Sequence, residues 1–117
     1  MLLQKNRFHG YNSLRYVYSN GRTVRNPRFA IRYADNPRRK TYRCAVVVSK
    51  KVSKSAVVRN RIRRRVYEII RTFEPKIQNA PDIVVTVYEA ELATLPFAEL
   101  QKSFDSLIKK TEIIAKN

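Results

Sequence analysis

Apolar residues recur along this chain with two periods. Leu14, Val17 and Tyr18 precede Gly21, and Asn12 or Ser13 could cap them, which predicts a short helix closed by the glycine. Phe29, Ile31 and Tyr33 then alternate with Arg28, Ala30 and Arg32, the two-residue period of a half-buried strand. Asp35-Asn36-Pro37 predicts a turn. Tyr42 to Val48 resumes as a strand, and its continuous apolar run from Cys44 suggests a central position covered on both faces. The two strands are expected to pair as a hairpin.

Val58, Ile62, Val66, Ile69, Ile70 and Phe73 recur at spacings of four and three, the stripe of a long amphipathic helix that Pro75 limits. Ile83-Val84-Val85-Thr86-Val87-Tyr88 follows Pro81 and predicts a third, central strand. Phe97, Leu100, Phe104, Leu107, Ile108 and Thr111 mark a last helix, with Pro96 in its first turn. The order is helix, strand, strand, helix, strand, helix. The strands flanking the long helix could lie parallel, joined by it. Residues 1–117 read as one domain, with no repeat or interdomain linker.

Charge changes the picture. There are 25 Lys and Arg against 9 Asp and Glu among 117 residues, a net +16 with a pI near 10.6, while 44% hydrophobic content is enough for an ordinary core. Lys50, Lys51, Lys54, Arg59, Arg61, Arg63, Arg64 and Arg65 crowd into the approach and first turns of the long helix, with Glu68 the nearest acid. A helix start is already the positive end of the macrodipole, so these cations call for an outside polyanion. On a helical wheel Asn60, Arg64 and Arg71 lie opposite the apolar stripe, flanked by Arg61, Arg63 and Arg65. Taken singly, Arg63 or Arg71 reads equally well as an ordinary solvated residue. Asn60 can both donate and accept, which suits a sugar hydroxyl, a base edge or a hydrated metal, or a bond within the first helical turn.

The inventory for protein catalysis is thin. His9 is the single histidine, near the N-terminal end; Cys44 is the single cysteine, expected to pack in a strand and excluding an internal disulfide. Asp82 with Glu89 and Glu91 resembles a metal-nuclease arrangement only faintly, and the strand-end reading is preferred. Gly10 and Gly21 are the only glycines, so neither a phosphate loop nor a dinucleotide fingerprint can form. The residues thus name no catalytic group and no protein metal site. No apolar run approaches the roughly 20 residues that span a bilayer, and Met1-Leu2-Leu3 leads into Lys5 and Arg7 rather than a signal core, so a cytoplasmic location is expected.

Ser49-Lys50-Lys51 followed by Arg59-Asn60-Arg61-Ile62-Arg63-Arg64 resembles the signature of the bacterial ribonuclease P protein subunit. Lys5-Asn6-Arg7, the short helix ending at Gly21, the Phe29 strand, the basic helix, the Ile83 strand and the last helix follow in that family's order. The resemblance implies an α+β fold: a two-layer sandwich with a mainly antiparallel four-stranded sheet, like the second domain of ribosomal protein S5. It also implies a left-handed crossover through the basic helix, where general rules favour right-handed.

By the same resemblance a separate RNA subunit cleaves precursor tRNA using Mg2+, held mainly by RNA and substrate phosphates, and the protein assists binding. Arg59, Asn60, Arg61, Arg63, Arg64 and Arg65 would meet that RNA, with Lys50, Lys51 and Lys54 on phosphates. A cleft between the first helix and the sheet would take the single-stranded 5′ leader, against Leu14 and Tyr18. Phe29, Ile31 and Tyr33 could add strand contacts, core packing being the alternative, favoured for Phe29 and Ile31. Two positions depart from the family. Leu14 replaces a common phenylalanine, which weakens leader stacking there. Tyr67 stands where a basic residue is common, and Arg65 and Arg71 are expected to supply the missing charge. The competing classes are a general RNA-binding or ribosomal protein, which would lack processing activity, a DNA-binding basic helix, and a membrane-surface protein. Against DNA, the basic helix carries one core stripe rather than sustained dimerising heptads.

Overall fold

The computed structural model describes residues 11–35 and 41–114, and residues 11–13 through their backbone alone. Lys5-Asn6-Arg7, His9 and the Asn36-Pro37 turn lie outside what is described, while the backbone of the candidate caps Asn12 and Ser13 is already helical, inside α1 rather than at its cap. Helix α1 spans Tyr11–Asn20, strand β1 Arg22–Arg25, β2 Phe29–Ala34 and β3 Arg43–Val48. Helix α2 spans Ala56–Phe73, β4 Asp82–Val87 and α3 Phe97–Ile108, with 3₁₀ turns at Glu74–Lys76 and Ala90–Ala93.

The four strands form one sheet in the order β1-β2-β4-β3. β1 and β4 both run antiparallel to β2, and β3 runs parallel to β4, with α2 as the connection between them. The expected hairpin of β2 with β3 does not form. β2 instead places Phe29, Ile31 and Tyr33 opposite Val87, Val85 and Ile83 of β4, so two matched apolar rows share one face. β3 is accordingly an edge strand, not a central one. Its apolar run has another cause: Cys44, Val46 and Val48 face the main core, while Ala45 packs with Val17 and Val84 on the opposite face. Covering both faces produces the same sequence pattern as a central position.

β1 escapes sequence reading because Arg22-Thr23-Val24-Arg25 holds a single apolar residue. Its neighbours hold it in place. The Gly21 N–H donates to the Val17 carbonyl at 2.7 Å, and a Cβ on Gly21 would stand 2.4 Å from that oxygen and 2.9 Å from the Tyr33 carbonyl. Only glycine lets the chain leave α1 this closely against β2. After β1, the Asn26 side-chain oxygen accepts from the Arg28 and Phe29 N–H groups, each at 2.9 Å, and fixes the turn into β2.

The main core lies between one sheet face and helices α2 and α3. Ile62, Val66, Ile69, Ile70 and Phe73 of α2 and Leu100, Phe104, Leu107 and Ile108 of α3 fill it, and Phe104 stacks on Phe29 with ring centroids 4.1 Å apart. Ser55 caps α2 by accepting from the Val58 N–H at 3.3 Å. α3 stops at Ile108 rather than reaching Thr111, whose hydroxyl donates to the Ile108 carbonyl at 2.6 Å and accepts from the Ile113 N–H. No helix among the described residues is long and apolar enough to cross a membrane.

Candidate nucleic-acid interface

Strand register brings the basic segments to one end of the sheet. Val87 at the end of β4 stands beside Val48 at the end of β3 and opposite Phe29 at the start of β2. The Ser49–Ser55 connection, the start of α2, the β1–β2 turn and the Tyr88–Ala93 segment therefore all occupy that end. Lys50, Lys51 and Lys54 are exposed there, and none meets a carboxylate among the described residues. The first turn of α2 has no acidic residue to offset its free N–H groups.

The arginines of α2 divide by what their guanidinium groups hold. Arg64 is exposed and makes no side-chain bond to any described residue. Arg59 donates to the Ser53 carbonyl at 2.9 Å. Arg63 donates to Asn60 Oδ1 at 2.7 Å and reaches the Val48 carbonyl at 3.5 Å. These two thus tie the helix to the loop that precedes it. Asn60 keeps its amide N–H groups outward while its oxygen accepts from Arg63.

Arg61 and Arg65 point along the other flank. Arg61 Nε donates to the Ala93 carbonyl at 2.6 Å, and Arg65 donates to the carbonyls of Leu92, at 2.7 Å, and Leu95. Together they grip the Ala90–Ala93 turn. Partial burial, and then the Arg61 charge, lower the Arg65 pKa from its usual value. The expectation that Arg65 and Arg71 replace a charge at Tyr67 meets two obstacles. Arg65 is committed to those carbonyls, and Arg71 lies 3.6 Å from the Glu68 carboxylate. Tyr67 itself packs against the core edge.

On the α1 side of the sheet, two tyrosines present part of their rings to solvent: Tyr18 is 43% exposed and Tyr16 41%. The Arg32 guanidinium lies 5.0 Å from the Tyr18 ring centroid and donates to Thr23 Oγ1 at 2.9 Å. The Tyr16 hydroxyl donates to the Asp35 carbonyl at 3.1 Å. Leu14 is half-buried against Val17, Ala45 and Val84. Phe29 and Ile31 are fully buried and Tyr33 is 8% exposed, all three in the main core on the opposite face, so their assignment to the cleft is corrected. The alternating residues Ala30, Arg32 and Ala34 are the ones β2 turns toward α1. Sequence reading passed over Arg32 and Tyr16. The two-residue alternation set Arg32 on the row opposite Phe29 and Ile31, the pair for which core packing is favoured, so a signal for Arg32 was present.

Other titratable groups are occupied. Both Asp82 oxygens accept from Arg43 at 2.9 Å, in a pair almost closed to water. This is the strand-end role, and Glu89 and Glu91 do not join it. Burial pushes the Cys44 thiol pKa up, and burial together with the Glu74 carboxylate pushes the Tyr42 phenol up while the two share a 2.8 Å hydrogen bond. Among the described residues no three His, Cys, Asp or Glu side chains gather as a metal site would need.

The Ribonuclease P family profile matches residues 2–112. The ribonuclease P protein component of Chloroflexus aurantiacus is 38% identical over 96 residues, covering 82% of this chain and 70% of that protein. The corresponding protein of Caldanaerobacter subterraneus is 38% identical over 97 residues, covering 83% and 81%. In structure, the Staphylococcus aureus RNase P protein superposes with a TM-score of 0.82 at 24% identity over 94% of this chain and 98% of that one, a likeness of fold. Profile, relatives and fold agree with the Arg59-Asn60-Arg61-Ile62-Arg63-Arg64 signature on α2: the chain belongs to the ribonuclease P protein family.

Proposed function

We propose that this chain is the protein subunit of a ribonuclease P that removes the 5′ leader of precursor tRNA, with the bond broken by the RNA subunit. The observation that carries the reading is the cation-rich sheet end, where Lys50, Lys51, Lys54 and Arg64 stand without carboxylate partners beside the uncompensated start of α2. These side chains take phosphates of the catalytic RNA, and the free amide N–H groups of Asn60 donate to a phosphate, sugar or base edge beside them. Arg59 and Arg63 hold the loop and helix start in the shape the RNA meets, and Arg61 and Arg65 hold the Ala90–Ala93 turn against α2.

The leader passes on the α1 face. Tyr18 offers a ring for base stacking worth about 1–3 kcal/mol per base, with Arg32 behind it supplying positive charge. Stacking tolerates any base, which suits leaders of differing sequence. In this reading magnesium is held mainly by phosphates of the RNA subunit and of the substrate. The protein's part is to gather two RNAs by neutralising their phosphates, in the cytoplasm where tRNA precursors are processed.

The test is cleavage of precursor tRNA by a bacterial ribonuclease P RNA at low magnesium, with and without the chain. Substrates with a long leader and with none separate the two surfaces. The expected result is rescue that is stronger with the long leader. Absence of rescue with a cognate RNA would leave a general RNA-binding protein instead.

A further inference from the structure

The β1–β2 turn and α3 enclose an open recess of about 400 Å³ lined by Asn26, Arg28, Glu99, Lys102, Ser103 and Ser106. The Arg28 guanidinium, the Lys102 ammonium and the Ser103 and Ser106 hydroxyls make no hydrogen bond or ion pair with any described residue. Asn26 spends its oxygen on the Arg28 and Phe29 N–H groups and so fixes the backbone from which Arg28 projects. The stacked pair of Phe29 and Phe104 fixes α3 against the same turn. Glu99 has a separate reason to be present, as the acid in the first turn of α3. Two cations and one carboxylate leave the recess one net positive charge, the complement of a single phosphodiester.

Its place in the fold matters as much as its chemistry. The β1–β2 turn lies at the same sheet end as the start of α2, by the register of Phe29 with Val87 and Val87 with Val48. In the order β1-β2-β4-β3 the β1–β2 turn and the Lys50–Lys54 segment that follows β3 are separated by two to three strand spacings, roughly 10–14 Å along the sheet end. We propose that this recess is a second phosphate-binding site, in which Arg28 and Lys102 hold one RNA backbone phosphate and the serine hydroxyls donate to its oxygens. The inference rests on the RNA-binding reading above and extends the contact surface beyond α2, across the sheet end to α3.

The experiment compares the parent chain with R28Q/K102Q and with E99Q, in two arms. One measures binding of the free chain to a bacterial ribonuclease P RNA; the other measures binding of a long-leader precursor tRNA to the assembled RNA–protein complex. Both are run as affinity against monovalent salt. Losing one phosphate contact should flatten the log–log slope by roughly one in whichever arm supplies the phosphate, with an unchanged melting midpoint. E99Q should tighten binding several-fold in that same arm. Parental slopes for R28Q/K102Q in both arms, or no effect of E99Q, would overturn the site. Parent protein that binds neither RNA would instead overturn the RNA-binding reading and this site with it.

Discussion

Arg64 and Arg65 are adjacent in the chain, identical in chemistry, and set to different tasks by one hundred degrees of helix rotation. Arg65 ties down the carbonyls of Leu92 and Leu95, whereas Arg64 has solvent on its side of α2. Replacing Arg65 by alanine should therefore cost about 1–3 kcal/mol of stability, since it strips partly buried carbonyls of a charged donor. Replacing Arg64 by glutamine should leave stability within about 0.5 kcal/mol and weaken RNA binding. Urea melts beside RNA titrations check both, and equal stability losses would contradict the division. None of this is legible in the run Arg63-Arg64-Arg65. The partners of Arg65 lie 27 and 30 positions further on, and only the folded crossover brings them alongside. The cleft shows the same limit. Alternation made β2 visible and favoured Phe29 and Ile31 for the core, but it did not show that Arg32, on the other row, would stand beside Tyr18.

At the scale of elements, long amphipathic patterns were legible and short or edge elements were not. α2 and α3 follow their stripes closely, because each buries one continuous face, and β4 follows its apolar run because it is buried on both. β1 is held by pairing and by the close approach at Gly21, neither of which leaves an apolar signature. The place of β3 was misread because an edge strand covered on both faces is as apolar as a central one. What registers β3 on β4 is polar: Arg43 stands opposite Asp82 and forks onto both its oxygens, where the carboxylate is 1% exposed. Asp82→Asn should destabilise by about 3 kcal/mol, by taking the Asp82 charge from a largely buried ion pair. A denaturant midpoint unchanged from the parent would show that the pair does not hold the two strands together.

For the whole molecule, of net charge +16, the organising fact is that the described residues gather Lys50, Lys51, Lys54 and the start of α2 at one sheet end. The crossover from β3 through α2 to β4 delivers the lysines and the helix start to one sheet end, the antiparallel pairing of β2 with β4 brings the β1–β2 turn there, and the apolar stripes close the core behind them. The sequence signature located the α2 portion of that surface; strand order and register were needed to add Arg28 and Lys102. The most direct measurement of the central claim is the salt dependence of binding to a bacterial ribonuclease P RNA, for the parent and for K50Q/K51Q/R64Q. A steep parental slope is expected. It should fall by about 0.9 for each phosphate contact removed, so by two to three in the triple variant, with the melting midpoint preserved. A shallow slope in the parent, or one the variant leaves unchanged, would contradict the assignment of this sheet end as the surface that meets RNA.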